Sequence, residues 1–445
     1  MKILALGDKS FGNSVREILS PMALRVSVET EKSRIQKNLK SYFDLVLVDE
    51  ESCLSEDEAF KEKVTGWIKK AKRDFILISP QRNPDRILQN RRLGAADTIL
   101  KPFNRREFIL RFNAVRLKKM RISCIGGGTG LFHLLLGLKN IPNVLLTSIV
   151  NMSDDGGSSG KLSQVFGILP PGDIRRSLVA LSNAPELMNQ IIQHRFEKGG
   201  ELHGHSFGNI FLAVLAEVKG SMSEAVRSLS EILNIQGIVL PATQTLTRLN
   251  AQFVNKVIVK GESKIDLGEG RDPNLRIKRL WLEPEPECDF DAFSSIINSD
   301  LVTIGPGDLY TSVISNLSIK NLRGALIKSK ARKIYICNLM TKPGETAHFN
   351  ALDHVKEIIK YLGEDCLDAV LISNTLLSND SILEYAKKNQ SPVVAMDKSK
   401  FSRCTRAKIL FADIGSQTEL VRHDSLKLAY VIEKFMKSIG DDFIR

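Results

Sequence analysis

The chain has 445 residues, of which 43% are hydrophobic and 26% charged, and its formal net charge is +12. This is the balance of a globular protein with two or three cores. No apolar run approaches the roughly 20 residues that span a bilayer, and the opening Met1-Lys2-Ile3-Leu4-Ala5-Leu6-Gly7 runs straight into Asp8 and Lys9, too short a stretch for a secretory leader. No membrane insertion is expected. Six scattered cysteines (Cys53, Cys124, Cys288, Cys337, Cys366 and Cys404) form no C-x-x-C pair, so free thiols in a reducing compartment are expected and a zinc site is not. The positive charge is uneven. Residues 1–60 sum to −3, 61–120 to +12 and 121–445 to +3. No stacking aromatics or DNA-binding pattern accompany the basic stretch, so it reads as a solvated face or a dock for an acidic protein, and nucleic acid is not an expected partner.

Residues 1–118 alternate strand and helix patterns, with strands at 2–6, 24–28, 45–48, 75–79 and 98–100. Five such units predict a flavodoxin-like, doubly wound domain. Asp49, Ser79 and Lys101 stand at three strand ends. On those residues the segment resembles a response-regulator receiver domain. The resemblance implies that Asp49 accepts a phosphoryl group, that Ser79 and Lys101 read it, and that a sensor kinase is a partner. It also implies Mg²⁺ held by Asp8 and Asp49. The family has an acidic pair after the first strand, whereas this chain has Gly7-Asp8. One carboxylate fewer weakens an octahedral oxygen site, so a pseudo-receiver used for docking or dimerisation stands as the other reading.

A new strand begins near Arg121 and opens a domain over 121–445. It ends in Gly126-Gly127-Gly128-Thr129-Gly130 before an apolar helix. Glycine after a buried strand presents bare amides, and a helix opening there adds a positive dipole end. The run is not the G-x-G-x-x-G fingerprint, so a plain structural turn is the competing reading. A second strand, 144–152, leads to Ser153-Asp154-Asp155-Gly156-Gly157-Ser158-Ser159-Gly160, read as a loop with two carboxylates at a strand end. Those carboxylates suit a divalent ion or a sugar hydroxyl, or are plain surface charges.

Helices are expected at 173–182, 185–196, 206–218 and 223–233. Ser206 is expected as an N-cap, with Asn209 facing the ligand. Strands follow at 237–240, 247–254 and 256–260, the last two a hairpin through Asn255. A strand at 300–304 ends in Gly305-Pro306-Gly307-Asp308-Leu309-Tyr310, a second strand-to-helix glycine turn. Further strands at 333–338, 369–373, 393–397 and 409–412 alternate with helices at 350–362, 379–389 and 424–438. This alternation predicts a parallel sheet covered on both faces, a Rossmann-like three-layer α/β fold.

Six stretches occur in order: Ile125 to Gly130, Ser153 to Gly160, Gly167 to Arg175, Gly204-His205-Ser206-Phe207-Gly208-Asn209, Gly305 to Thr311 and Cys337 to Thr346. Together they resemble the gluconeogenesis factor (YvcK-type) proteins, grouped with the CofD-like 2-phospho-lactate transferases, over residues 121–440. The resemblance implies a cytoplasmic regulator that binds a UDP-sugar such as UDP-N-acetylglucosamine and supports envelope synthesis and cell shape. A homo-oligomer and an envelope-synthesis protein partner are expected. No cofactor is demanded, with Mg²⁺ as the one candidate. It further implies that Tyr385 and Arg422 contact the nucleotide sugar. The expected nucleotide-binding set is Gly126, Gly127, Gly128, Thr129, Gly130, Asp154, Asp155, Ser158, Asn209, Gly305, Gly307, Leu309, Tyr310, Tyr385 and Arg422. Two positions depart from the family: Ser153 replaces an alanine, and Asp308 replaces a common serine and sets a carboxylate beside a phosphate loop. The competing function is transfer of a phospho-lactate or phosphoenolpyruvate group from a nucleoside diphosphate. No catalytic residue is singled out.

Overall fold

The computed structural model describes residues 1–30, 35, 43–54, 58–198, 200–268, 272, 274–416 and 420–443. They form two compact units. The first comprises Met1–Arg121, Asn143–Leu145 and Phe293–Ser299, and the second Ile122–Pro142, Leu146–Ala292 and Asp300–Arg445.

In the first unit, strands β1 (Lys2–Leu6), β2 (Arg25–Glu29), β3 (Leu45–Asp49), β4 (Asp74–Ser79) and β5 (Asp97–Leu100) are parallel, in the order β2-β1-β3-β4-β5. That is the flavodoxin-like order. Side-chain alternation along the strands builds two cores. Leu4, Leu6, Val46, Val48, Phe75 and Leu77 pack with Val64 and Ile68 of the Glu58–Lys70 helix. Ile3, Ala5, Leu45, Leu47, Ile76 and Ile78 face the other way. They pack with Phe11 and Val15 of the Lys9–Leu19 helix and Phe108 and Phe112 of the Arg105–Arg116 helix.

The second unit holds β6 (Met120–Gly126), β7 (Val144–Val150), β8 (Ile238–Pro241), β9 (Arg248–Phe253), β10 (Ile258–Lys260), β11 (Ile277–Glu283), β12 (Leu301–Ile304), β13 (Arg332–Ile336), β14 (Ala369–Ser373) and β15 (Lys408–Ala412). Seven of them form one sheet in the order β15-β14-β13-β12-β6-β7-β8, and β9 pairs antiparallel with β10 and β11. The large sheet runs outward from β6 to β8 on one side and from β12 to β15 on the other. This is the Rossmann pattern, in which the strand order reverses between the first and fourth strands. Strands such as β8, β12 and β14 are apolar runs buried almost throughout, as a sheet covered on both faces requires.

Three details differ from the sequence reading. Residues 393–397 form no strand, because β14 pairs directly with β15. The Val393 amide donates instead to Leu339, the Val394 carbonyl accepts from Ala351, and Asp397 caps the Lys398–Phe401 helix. Strand β11 went unread because a register shift between Ile277 and Arg279 breaks its alternation. The glycine-rich stretch after β7 becomes a helix, Gly157–Phe166, stopped by Gly167 at φ 62°, so Ser158 lies in a helical first turn. Cys124, Cys288, Cys337, Cys366 and Cys404 are free thiols, and the Cys53 side chain lies outside the described residues. No described helix is long and apolar enough to cross a membrane.

The Gly128–Leu138 helix packs against the Ser425–Phe443 helix at Gly137. A Cβ at Gly137 would stand 2.0 Å from the Ser425 carbonyl oxygen and 3.1 Å from the Ala429 Cβ. Because the first of these neighbours is backbone, relief requires the helices to separate. Gly137→Ala is expected to cost about 1–3 kcal/mol, the usual scale of overpacking. Urea denaturation of the full chain measures it, and wild-type stability would mean that the two helices are not in tight contact.

A candidate nucleotide cleft where the strand order reverses

The tips of β6 and β12 are adjacent, and the turns beyond them touch. A Cβ on Gly130 would lie 2.7 Å from the Pro306 carbonyl oxygen, so only glycine allows the two turns this approach. The Gly305 amide donates to Ile125, and the Asn338 side chain beyond β13 donates to the Gly307 carbonyl over 2.7 Å. Three neighbouring loops are thereby fixed together at the carboxyl ends of their strands. Asp173 holds the first loop from the other side, accepting the Gly128 amide at 2.8 Å and an Arg176 hydrogen bond at 3.2 Å.

The Gly128–Leu138 helix starts at Gly127, which has no side chain to cap it. The Thr129 and Gly130 amides have no acceptor among the described residues. Uncapped first-turn amides and the helix dipole together favour an anion. They open on a cleft of about 430 Å³ whose lining includes Gly127, Gly128, Gly307, Asn338, Tyr385 and Arg422. Arg176, Lys342 and Lys388 add positive charge to the walls.

Arg422 sits on a two-residue strand, Arg422–His423, and forms no ion pair among the described residues. An unpaired guanidinium offers a rigid, doubly donating fork. Tyr385 holds it in place, because its hydroxyl accepts the Val421 amide at 2.9 Å. The Tyr385 ring is mostly buried, with the Lys388 ammonium 5.6 Å from its centroid. His423 is buried beside Arg422, and burial brings its imidazole down to about 4. It is neutral at physiological pH and adds no charge to the cleft.

Asp308 is not a bare negative charge. Its carboxylate lies 2.6 Å from the Lys342 ammonium, which also pairs with Asp266. Burial works against the charge on Lys342, but Asp308, Glu345 and Asp266 outweigh it and hold the ammonium well above its ordinary range. Glu345 accepts from the Tyr310 amide (2.9 Å) and the Thr311 hydroxyl (2.8 Å), tying the loop after β13 to the turn after β12. Asp266, Asp308 and Glu345 bring carboxylate oxygens within 4.8 Å of one another, and Lys342 is the cation among them.

Several expected site residues do not line the cleft. Asp155 accepts the Glu262 and Ser263 amides at 3.1 and 2.9 Å and so caps the Glu262–Leu267 helix. Asp154 is occupied by the Gly156 amide at 2.9 Å, and burial raises its carboxyl above the usual range. Leu309 and Tyr310 are core residues, 1% and 0% exposed. Gly126 and Gly305 shape the turns from behind the lining. Ser158 and Asn209 bond to each other over 3.1 Å in a separate network around Arg175. Sequence reasoning missed Asp173, Arg176, Asn338, Lys342 and Lys388. The first four stand in or beside stretches already singled out; Lys388 carried no signal.

Glu262 adjoins these acids. Burial, then Asp154, Asp266 and Glu345, push its carboxyl up to about 9. A carboxyl protonated in the folded state costs stability as it is forced to ionise. That loss accrues as pH rises from its ordinary 4.5 toward about 9. Thermal unfolding across this range should show declining stability in the wild type and a shallower decline in Glu262→Gln. Identical slopes would mean that Glu262 ionises freely.

The profile of the family "2-phospho-L-lactate transferase CofD" matches residues 122–413. The gluconeogenesis factor of Bacillus subtilis is 39% identical over 321 residues, covering 72% of this chain and 99% of that protein. That of Listeria monocytogenes is 41% identical over 314 residues, covering 70% and 94%. The crystal structure of a Bacillus halodurans protein of the UPF0052 family aligns with a TM-score of 0.67 at 38% identity, covering 71% of this chain and 99% of that one. Residues 1–121 lie outside the family profile, and from residue 122 onward the chain belongs to the CofD-like family of gluconeogenesis factors.

Proposed function

We propose that the second unit binds a nucleotide sugar of the UDP-N-acetylglucosamine type, as a regulator linking carbon metabolism to envelope synthesis and cell shape. The observation that carries this reading is the meeting of Gly128, Gly307, Tyr385 and Arg422 on one cleft. The open amides of Thr129 and Gly130 would take the diphosphate, and Arg422 would grip it from the far wall. Tyr385 acts chiefly by positioning Arg422, with a ring edge left for the base or sugar. Arg422→Ala should weaken UDP-N-acetylglucosamine by about 1.5–3 kcal/mol, the scale of a hydrogen bond to a charged group. Gly128, at φ 65°, tolerates no branched side chain, so Gly128→Val should block the loop as well. Calorimetry on both variants tests the assignment, and wild-type affinity in both would remove it.

The family name supports a second reading, transfer of a phospho-lactate-like group from a nucleoside diphosphate. Asp154, whose carboxyl burial raises, could take a proton from an acceptor hydroxyl, and Glu262, kept protonated beside it, could give one to the departing phosphate. Incubation with GTP- or UDP-linked donors and a deazaflavin acceptor separates the two readings. Product formation favours the transferase; stabilisation by UDP-sugar without turnover favours the regulator.

For the first unit we infer phosphoryl input at Asp49. Its carboxylate is 2% exposed at the tip of β3, with the Lys101 ammonium 2.8 Å from Oδ1 and the Ser52 hydroxyl 2.5 Å from Oδ2. Ser79 ends the neighbouring strand, and Asp8, Asp49 and Lys101 line one cleft. Asp8 also caps the Lys9–Leu19 helix through the Phe11 amide at 2.7 Å. Mg²⁺ at Asp8 and Asp49 would therefore share one ligand with a helix cap. Beryllofluoride with Mg²⁺ should raise the melting temperature of the wild type and leave Asp49→Ala unchanged. An equal response in both, or none in either, would leave the pseudo-receiver reading.

A further inference from the structure

Arg175 is an unusual place for a charge. It is 8% exposed on the Pro171–Leu181 helix, and no carboxylate lies within ion-pair reach of it among the described residues. Its one side-chain hydrogen bond among the described residues runs from Nε to the Asn209 Oδ1 at 2.9 Å. Burial, then the nearby Arg176 and Arg195, bring its guanidinium down to about 10. It also lies across the start of the Phe207–Lys219 helix. A Cβ on Gly208 would stand 2.7 Å from the Arg175 Cδ. A cation at a helix N-terminus opposes the dipole, and burial adds a desolvation cost. Repulsion by two other arginines makes a third penalty.

The acceptors beside it, the Asn209 Oδ1 and the Ile192 carbonyl, are each already engaged, the first by Arg175 and the second by the Ser206 hydroxyl. Because Asn209 gives its oxygen to Arg175, its Nδ2 donates to the Ser158 Oγ at 3.1 Å. The Ser206 amide donates to the same oxygen at 3.3 Å. With two donors already on Ser158, its own proton points to the His205 Nδ1, 3.1 Å away. His205 then carries its proton on Nε2, facing away from Ser158. The Gly208 amide, in the first turn of the helix, has no acceptor among the described residues. The guanidinium Nη groups and the helix-terminal amide thus stand side by side without a counter-charge, and His205 is joined to them only through Ser158 and Asn209.

We propose that Arg175 and the Gly208 amide form a second anion site, separate from the cleft between the glycine turns, that takes a phosphate-type oxyanion. The exposed Arg195, bridged to Ser206 through its backbone, stands at the rim and draws the anion in. Bound phosphate would offset the Arg175 charge, satisfy the Gly208 amide and complement the helix dipole together. The site stands whether or not the cleft takes a nucleotide sugar.

The test is titration of the full chain with inorganic phosphate by calorimetry, with chloride at matched ionic strength as control. Four proteins are compared: wild type, Asn209→Asp, Arg195→Gln and Gly128→Val. Asn209→Asp places a carboxylate on Arg175 with little change of shape. Phosphate should bind wild type, and the binding that Asn209→Asp weakens should persist in Gly128→Val. Its affinity should fall at least about tenfold in Asn209→Asp, the scale of one charge-assisted hydrogen bond, with thermal stability in phosphate-free buffer kept. If Asn209→Asp does not fold, Arg195→Gln on the surface decides, through a weaker but measurable loss. Phosphate no better than chloride on wild type would overturn the site. So would undiminished binding in Asn209→Asp and Arg195→Gln, or binding abolished only by Gly128→Val, which would place the anion at the glycine loop.

Discussion

The second unit depends on how closely two strand tips can approach. Strands β6 and β12 are neighbours in the sheet at the point where the strand order reverses, and in open sheets of this kind the chain departing to opposite sides leaves a crevice beyond such strand ends. The gap becomes a usable cleft only because the Gly130 backbone meets the Pro306 carbonyl. Any side chain there would wedge the turns apart and turn the Thr129 and Gly130 amides away from a common point. The Asp173 carboxylate and the Asn338 amide then fix the approach, each bonded to backbone of one of the two glycine turns. Side chains hold the frame, and backbone is left to meet the ligand.

Charge is arranged with the same economy. A cleft that is to hold the diphosphate proposed above needs positive potential, yet the chain places Asp308 at its edge. The conflict is resolved by Lys342, whose ammonium lies among Asp266, Asp308 and Glu345. Lys342 is therefore spent on internal neutralisation, whereas Arg422 has no such partner among the described residues and stays a free cation of the cleft. A lysine suits the first task because it is a compact point charge with three donors. A guanidinium suits the second because its fork matches paired oxygens.

Much of this was legible in the sequence. The alternation of apolar strands with helices predicts two parallel α/β units, and both sheets have that form. The glycine turns are readable because few other sequences follow a buried strand in that way. Tyr385 and Arg422 were legible only through family resemblance, since neither has a local pattern that separates it from a core tyrosine or a surface arginine. Asp155 was misplaced because a carboxylate in a glycine-rich stretch looks free until the amides of residues 262 and 263, over a hundred positions away, cap onto it. Residues 393–397 were misread for a related reason. Local β-propensity cannot report that the sheet position is taken by another strand.

The Pro171–Leu181 helix connects these themes. Nearly all of it is buried, so its side chains have little freedom to rearrange. Successive residues on a helix point about 100° apart, which sends Arg175 and Arg176 to different surroundings. Arg176 turns toward the glycine cleft beside Asp173, its charge partly met by that carboxylate. Arg175 turns toward Ser158 and Asn209, where no carboxylate among the described residues meets its charge. The two guanidinium groups repel, and that repulsion helps to pull Arg175 below its ordinary range. A rigid helix carrying two arginines in succession, only one of them balanced, is costly as a scaffold. It would be economical as a holder of the two anions proposed above, because each would supply the negative charge that the fold withholds.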